Sequence, residues 1–232
     1  MNIKYYLSNA TQSLVTTSLI LAVIATMFFM VEPSVGRAVA GTPFTIKQTI
    51  TDEISFLVQA PNVTMVGALQ GITGGTANGS TTAVVRTNSA GGYVMSIAFA
   101  TTSSGNAMRG DVSLSSAIHD YPATALGEPT YLFSTASTSA VFGYTASAAD
   151  SADLDSSFIN DGNDCNEPGS HTADRCWMEP MTTGFQIIDR GSSAALGATT
   201  TVHFRVHVPN SPIPALEEDV YTATATLTAT NQ

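Results

Sequence analysis

Thirty residues of the chain hold eight of its 18 acids and both of its cysteines. Between Asp150 and Glu179 stand Asp150, Asp153, Asp155, Asp161, Asp164, Glu167, Asp174 and Glu179, opposed only by Arg175. Cys165 and Cys176 lie inside the same run, eleven positions apart. In an oxidising compartment these thiols are expected to pair and pin the loop, and a ring of that size contributes about 2–3 kcal/mol by the chain-entropy argument. The oxygens of Asp153, Asp155, Asp161, Asn163 and Asp164 are of the hard type that calcium takes in flexible geometry. Calcium is therefore the candidate ion, although no cofactor is required. The spacing lacks the glycine and closing glutamate of a helix–loop–helix calcium loop, so a solvated acidic insertion is the competing reading. Zinc is poorly served, with no C-x-x-C and only His171 nearby.

The usual catalytic arrangements each lack a part. Gly67, Gly71, Gly74, Gly75 and Gly79 form a glycine-rich stretch with no Gly-Lys-Ser/Thr behind it, so a phosphate cradle is unsupported. Thr87-Asn88-Ser89-Ala90-Gly91 lacks the first glycine of a nucleophile elbow and falls in an expected hairpin loop. His203 and His207 share one face of an expected strand but stand about 13 Å apart, too far to hold one ion. A wet or inter-subunit surface suits them better. His119 beside Asp120 has no nucleophile to serve. The expectation is a protein that is not an enzyme, with an extracellular hydrolase the weakest reading.

Composition narrows what carries these residues. Acids outnumber bases 18 to 8 for a net charge of −10, and 32 Thr, 24 Ser and 30 Ala stand against two Lys. That excludes a nucleic-acid partner, which needs clustered Lys and Arg, and it argues against a coiled coil or bundle. Lys4 is the only charge before the apolar run Leu14–Val31; Pro33 follows, and then Ala38-Val39-Ala40 before Gly41. This has the form of a secretory signal over residues 1–40, cleaved after Ala40. A run of about eighteen apolar residues also suits a retained membrane anchor, in which case the leader would be the only membrane contact. Under either reading residues 41–232 are extracellular or at the cell surface, as a single domain with an acidic insertion around 150–180.

Beyond the leader the pattern has period 2. Thr201–Val208 alternates polar and apolar side chains; Tyr93, Met95, Ile97 and Phe99 share a face; Tyr221, Ala223, Ala225, Leu227 and Ala229 face away from Thr222, Thr224, Thr226, Thr228 and Thr230. Shorter strands are expected at Ala83–Arg86, Tyr131–Ser134, Ala140–Thr145 and Phe185–Asp189, a hairpin loop at Thr87–Gly92, a rigid connector at Pro209–Pro214, and at most a short helix near Gly110–Ile118. The fold class is all-β, an antiparallel sandwich of the jelly-roll or immunoglobulin-like kind.

The first alternation is too long for one strand. Phe44, Ile46, Gln48, Ile50, Asp52, Ile54, Phe56 and Val58 line one face, and fifteen extended residues reach about 50 Å against about 20 Å for an ordinary strand. Either it makes two strands or bends at Asp52, or Phe44–Ile50 projects and completes the sheet of a neighbouring subunit. A donated strand gives backbone hydrogen bonds plus pockets for alternate side chains, and repeated head to tail it builds a filament.

Val84-Val85-Arg86-Thr87-Asn88, Gly92-Tyr93-Val94-Met95-Ser96-Ile97 and the ending Glu218-Asp219-Val220-Tyr221-Thr222-Ala223-Thr224-Ala225-Thr226-Leu227 resemble secreted bacterial pilin-like surface proteins, of the spore-coat-U-like and biofilm-fibre jelly-roll type. Glu218-Asp219 stands where those endings usually carry a glycine, and the paired N-terminal cysteines of many such domains are missing. The resemblance implies an assembling structural subunit with no catalytic site, whose partners are copies of itself. The alternative is a monomeric module that binds glycan or cell wall, with calcium in the acidic loop and Tyr121, Tyr131, Tyr144 and Trp177 as stacking platforms. Asn62-Val63-Thr64 and Asn78-Gly79-Ser80 fit the N-glycosylation pattern.

Overall fold

The computed structural model describes residues 3–30, 45–122, 127–135 and 138–232. The chain divides into two units, Met1–Thr49 and Ile50–Gln232. In the first, helix α1 (Ile3–Met30) carries the apolar run, with Leu19, Ile20 and Leu21 exposed. The hydroxyls of Thr16 and Thr26 donate back to the carbonyls one turn earlier, which hides their polarity within the helix. Among the described residues no helix is long and apolar enough to cross a membrane. The expected cleavage site at Ala40, and Phe44, lie outside the described residues.

The second unit is mostly β, in a sandwich-like arrangement of two sheets. Its strands are β1 (Ile54–Val58), β2 (Gly75–Thr87), β3 (Tyr93–Phe99), β4 (Met108–Gly110), β5 (Ala117–Asp120), β6 (Val141–Ala148), β7 (Phe185–Arg190), β8 (Ala198–Val208), β9 (Tyr221–Ala223) and β10 (Ala225–Asn231). The large sheet runs β1-β2-β8-β6-β5-β4-β9 and the small one β10-β3-β7. All neighbours are antiparallel except β5 and β6. The period-2 pattern places the core between the sheets. Tyr93, Met95, Ile97 and Phe99 face Val85, Phe142, Tyr144, Val202 and Val206, with the Phe99 ring edge-on to Phe142 at 5.9 Å.

Several expectations need correction. Thr87–Gly92 is not a hairpin loop, because β2 and β3 lie in different sheets. Gly92 makes that crossing possible, with φ at +81° and a position where an added methyl would stand 1.8 Å from the Arg190 carbonyl oxygen. The closing alternation is two strands: β9 pairs with β4 in the large sheet, then β10 pairs with β3 in the small one, the chain changing sheets at Thr224. Gly110–Ile118 is not helical; it links β4 to β5. Tyr131–Ser134 forms no strand, and the pairing there is a single bridge from Thr130 to Trp177. The Phe44–Val58 alternation is a strand only from Ile54 on, and Thr45–Glu53 has no sheet partner of its own.

The acidic insertion between β6 and β7 packs against two strands. Two single-turn 3₁₀ helices, Ser151–Asp153 and Ser156–Phe158, are capped by the Asp150 and Asp155 side chains. Leu154 bridges Ile188 of β7, and Met178 bridges Tyr144 of β6. The insertion thus occupies edges that the ladders leave unpaired.

Candidate functional site

An apolar groove of about 680 Å³ opens in the sandwich. Its floor is made by Phe142, Val202 and Phe204 of the large sheet and its roof by Ile97 and Phe99 of β3 and Leu227 of β10, with Phe56 of β1 also lining it. The segment Gln59–Met65 forms one wall. It can lie there because β2 has a glycine beneath it: a methyl at Gly79 would stand 2.5 Å from Val63 Cγ1. Among main-chain and side-chain groups, the Thr81 hydroxyl donates to the Pro61 carbonyl at 2.7 Å and holds the wall to the sheet. A second hollow of about 480 Å³ shares Met65, Met108 and Tyr221 with the first and is flanked by Glu217, Glu218 and Asp219.

β10 forms the rim of this groove. It bonds to β3 over its whole length, Ala225 opposite Phe99 through Asn231 opposite Tyr93. Among the described residues its other edge has no main-chain partner. Ala225, Leu227 and Ala229 share the face of Phe99, Ile97 and Met95, while Thr226, Thr228 and Thr230 are exposed.

The assembly-strand residues lie outside any sheet. Ile46 is 84% exposed and Ile50 80% exposed, and Gln48 reaches only the adjacent Thr49 carbonyl. Where this stretch meets β1 it is gripped by Asn88, which the sequence places in a hairpin loop. Asn88 Oδ1 accepts from the Glu53 amide at 2.6 Å and its Nδ2 donates to the Thr51 carbonyl at 3.1 Å. The Thr87 hydroxyl lies 2.8 Å from the Glu53 carbonyl and 2.7 Å from Asn231 Oδ1. An Asn beside the end of a strand pattern is the signal that points to such a clamp, since its amide imitates a backbone partner.

The calcium candidates are held apart by other partners. Asp153 is buried in an ion pair with Arg190. Asp155 accepts from the Ser157 amide and hydroxyl and from Gln186 Nε2. Asp161 accepts from the amides of Asn163 and Asp164, which holds its carboxyl below the usual range. Asn163 and Asp164 form that turn through their main-chain amides. Among the described residues no three His, Cys, Asp or Glu side chains gather around a point where a metal would sit. Cys165 and Cys176 do form the expected disulfide, Cα to Cα 5.7 Å.

Three of the four proposed stacking platforms are core residues. Tyr121, Tyr144 and Trp177 are buried, and Tyr131 lies under the Arg175 guanidinium at 5.3 Å. Trp177 belongs to a small second cluster with Tyr121, Val141 and Phe133, and Arg205 of β8 stacks on it at 4.4 Å while pairing with Asp174. The sequence reading missed this clamp, whose members are far apart in the chain. His203 meets Ser147 Oγ at 3.1 Å and His207 meets Thr76 Oγ1 at 3.0 Å. Burial holds His171, His203 and His207 below the usual imidazole value, with His171 lowering His203 further and Asp174 opposing that. Asp120 accepts from the Ala107 amide, and burial pushes its carboxyl up. Asn78 is built into β2 with its Oδ1 bonded to Arg205, whereas Asn62 is exposed at the groove. No protein-family model matches the chain, no curated protein matches it, and no solved structure matches its fold.

Proposed function

We propose that this chain is an extracellular structural subunit of a cell-surface filament or layer, exported through residues 1–40 and assembled by donating its N-terminal strand to a neighbouring copy. The body is read as a sandwich of the jelly-roll or immunoglobulin-like kind. The observation that carries this reading is an apolar groove left open inside the sandwich of a chain that also holds an unpaired, alternating apolar segment outside it. Each isoleucine moved from water into such a groove contributes about 1.5–3 kcal/mol. Each new main-chain hydrogen bond adds about 0.5–1.5 kcal/mol. Association itself costs at least about 4 kcal/mol, so a strand burying Ile50 in the groove and Ile46 against the sheet beside it, with several ladder bonds, has a margin for binding.

The monomeric glycan-binding reading loses support from the burial of Tyr121, Tyr144 and Trp177, since a buried ring offers no face to a sugar. The test is size-exclusion and negative-stain imaging of the exported protein. Polymers are expected, and deletion of Gly41–Thr51 should abolish them while leaving a folded domain. Monomers that persist at high concentration, with or without the segment, would overturn the assembly reading.

A further inference from the structure

We propose that the incoming strand adds to the free edge of β10 and runs antiparallel to it, entering beside Ala225 with its N-terminal residues reaching deepest. This rests on the strand-donation reading and commits the site to one occupant, the Thr45–Ile50 segment of a second copy. The edge is available: among the described residues β10 has a ladder on its β3 side alone, and its inward residues Ala225 and Leu227 line the groove. A strand laid there gains main-chain bonds and places alternate side chains inward in one step.

The direction follows from where each copy's own segment leaves its body. Asn88 fastens Thr51 and Glu53, and Thr87 ties Glu53 to Asn231. The root of the segment therefore stands at the Asn231 end of β10. The groove is lined by β10 at the opposite end, by Ala225, Thr226 and Leu227. In a head-to-tail array each segment leaves at the Asn231 end of one copy and enters the next at its Ala225 end. Its residues nearest the root then stay at the mouth, and the chain direction opposes that of β10.

The side chains agree with this placement. With Ile50 beside Ala225, Gln48 falls beside Leu227 and Ile46 beside Ala229, so each incoming isoleucine faces an alanine, Ile50 over the groove and Ile46 just past its β10 lining. Thr45, Lys47 and Thr49 then point outward with the exposed threonines of β10. Directly opposite outward positions bring Cβ atoms to about 4.5–5.5 Å, close to disulfide range.

The experiment places cysteines on those outward positions of the full chain. Singly substituted Thr49→Cys, Thr45→Cys and Thr226→Cys proteins are first imaged to establish that each still polymerises. Under mild oxidation Thr49→Cys/Thr226→Cys should shift the monomer band into a ladder of covalent multimers, while Thr45→Cys/Thr226→Cys should not. The reverse result would mean parallel entry and overturn the proposal. Polymers that cross-link in neither pair would remove β10 as the acceptor while leaving strand donation standing. A cross-link within one chain would make the occupant the chain's own segment and overturn it too. If the unaltered chain forms no polymers, the underlying reading falls as well.

Discussion

The two edges of the small sheet are treated in opposite ways. On the β7 side the acidic insertion lies against the strand: the Asp155 amide donates to the Ile187 carbonyl, Gln186 reaches Asp155, and Arg190 pairs with Asp153. The disulfide between Cys165 and Cys176 then closes that insertion on itself. On the β10 side the edge has no main-chain partner among the described residues, and the groove opens behind it. An uncovered edge is a template for another chain, and proteins ordinarily blunt it with charge, proline or a covering loop. β10 carries none of these, only Thr and Ala with one Leu and one Asn. In the proposed assembly the β10 edge is the one that would receive a strand.

The sharpest way to break this contrast is to spoil the segment that would cover the open edge. Ile46→Asp with Ile50→Asp puts two carboxylates where the groove and the sheet beside it offer apolar walls, and an unpaired buried charge costs several kcal/mol. Polymer yield should fall by at least about 100-fold, read by sedimentation and imaging. The melting temperature of the body should hold, because both side chains are exposed in the free chain. A drop in melting temperature without loss of polymers would assign these residues to the body instead.

The complementary change acts on the covered edge. Replacing Cys165 and Cys176 by Ser opens an eleven-residue separation and should cost about 3 kcal/mol by the loop-entropy estimate. For a domain of this size that lowers the melting temperature by about 6–12 °C. Polymerisation at ambient temperature should survive, since the insertion lies away from the groove-lining residues. Loss of polymers at unchanged stability would mean that the insertion belongs to the assembly surface.

A smaller effect is expected from acid on the side of the large sheet that carries Arg205 and the second cluster. Burial holds the His171, His203 and His207 imidazoles below their ordinary value. The unfolded chain therefore binds protons first, at about pH 6.5, and stability falls as pH drops through that value toward the folded-state titration. Asp120 and Glu179 are pushed up by burial and act in the other direction where carboxylates titrate, so the lower limit of the window is set at the ordinary imidazole value of about 6.5. Melting temperature should decline between pH 7.5 and that limit, by less than the disulfide loss, and His171→Gln with His203→Gln should flatten most of the slope. A flat wild-type profile would show that these rings stay wet in solution.

What could be seen in the residues alone divides along the same lines. β3 and β8 were legible because Tyr93–Phe99 and Val202–Val208 place large apolar residues at every second position, in β8 against polar ones. The first half of β2 was not, because its inward positions are Ala77, Gly79 and Thr81, too small and mixed to mark a face. The sheet change at Thr224 leaves no local trace, as the Thr/Ala alternation runs on through it. Cys165–Cys176 pairing was legible from count and compartment. The groove was not, since it arises where no strand of the chain sits, and the Asp153–Arg190 pair joins residues 37 apart in sequence. The exposed Ile46 and Ile50 were readable as an excess of strand pattern; the Asn88 grip on Thr51 and Glu53 needed coordinates.

The smallest effect concerns the ion once suggested by the acid count. Asp153, Asp155 and Asp161 look available as a sequence, yet each carboxylate already has a partner: a guanidinium for the first, an amide, a hydroxyl and a glutamine for the second, two turn amides for the third. A calcium ion would have to displace those bonds before collecting its oxygens, and for Asp153 it would strand the Arg190 charge in a half-buried site. A ligand raises native stability only in proportion to its selective binding. Melting temperatures in EDTA and in millimolar calcium should therefore agree within about 1 °C. A rise of several degrees would require the insertion to rearrange on binding, and it would make the covered edge, rather than the β10 edge, the place where this molecule responds to its surroundings.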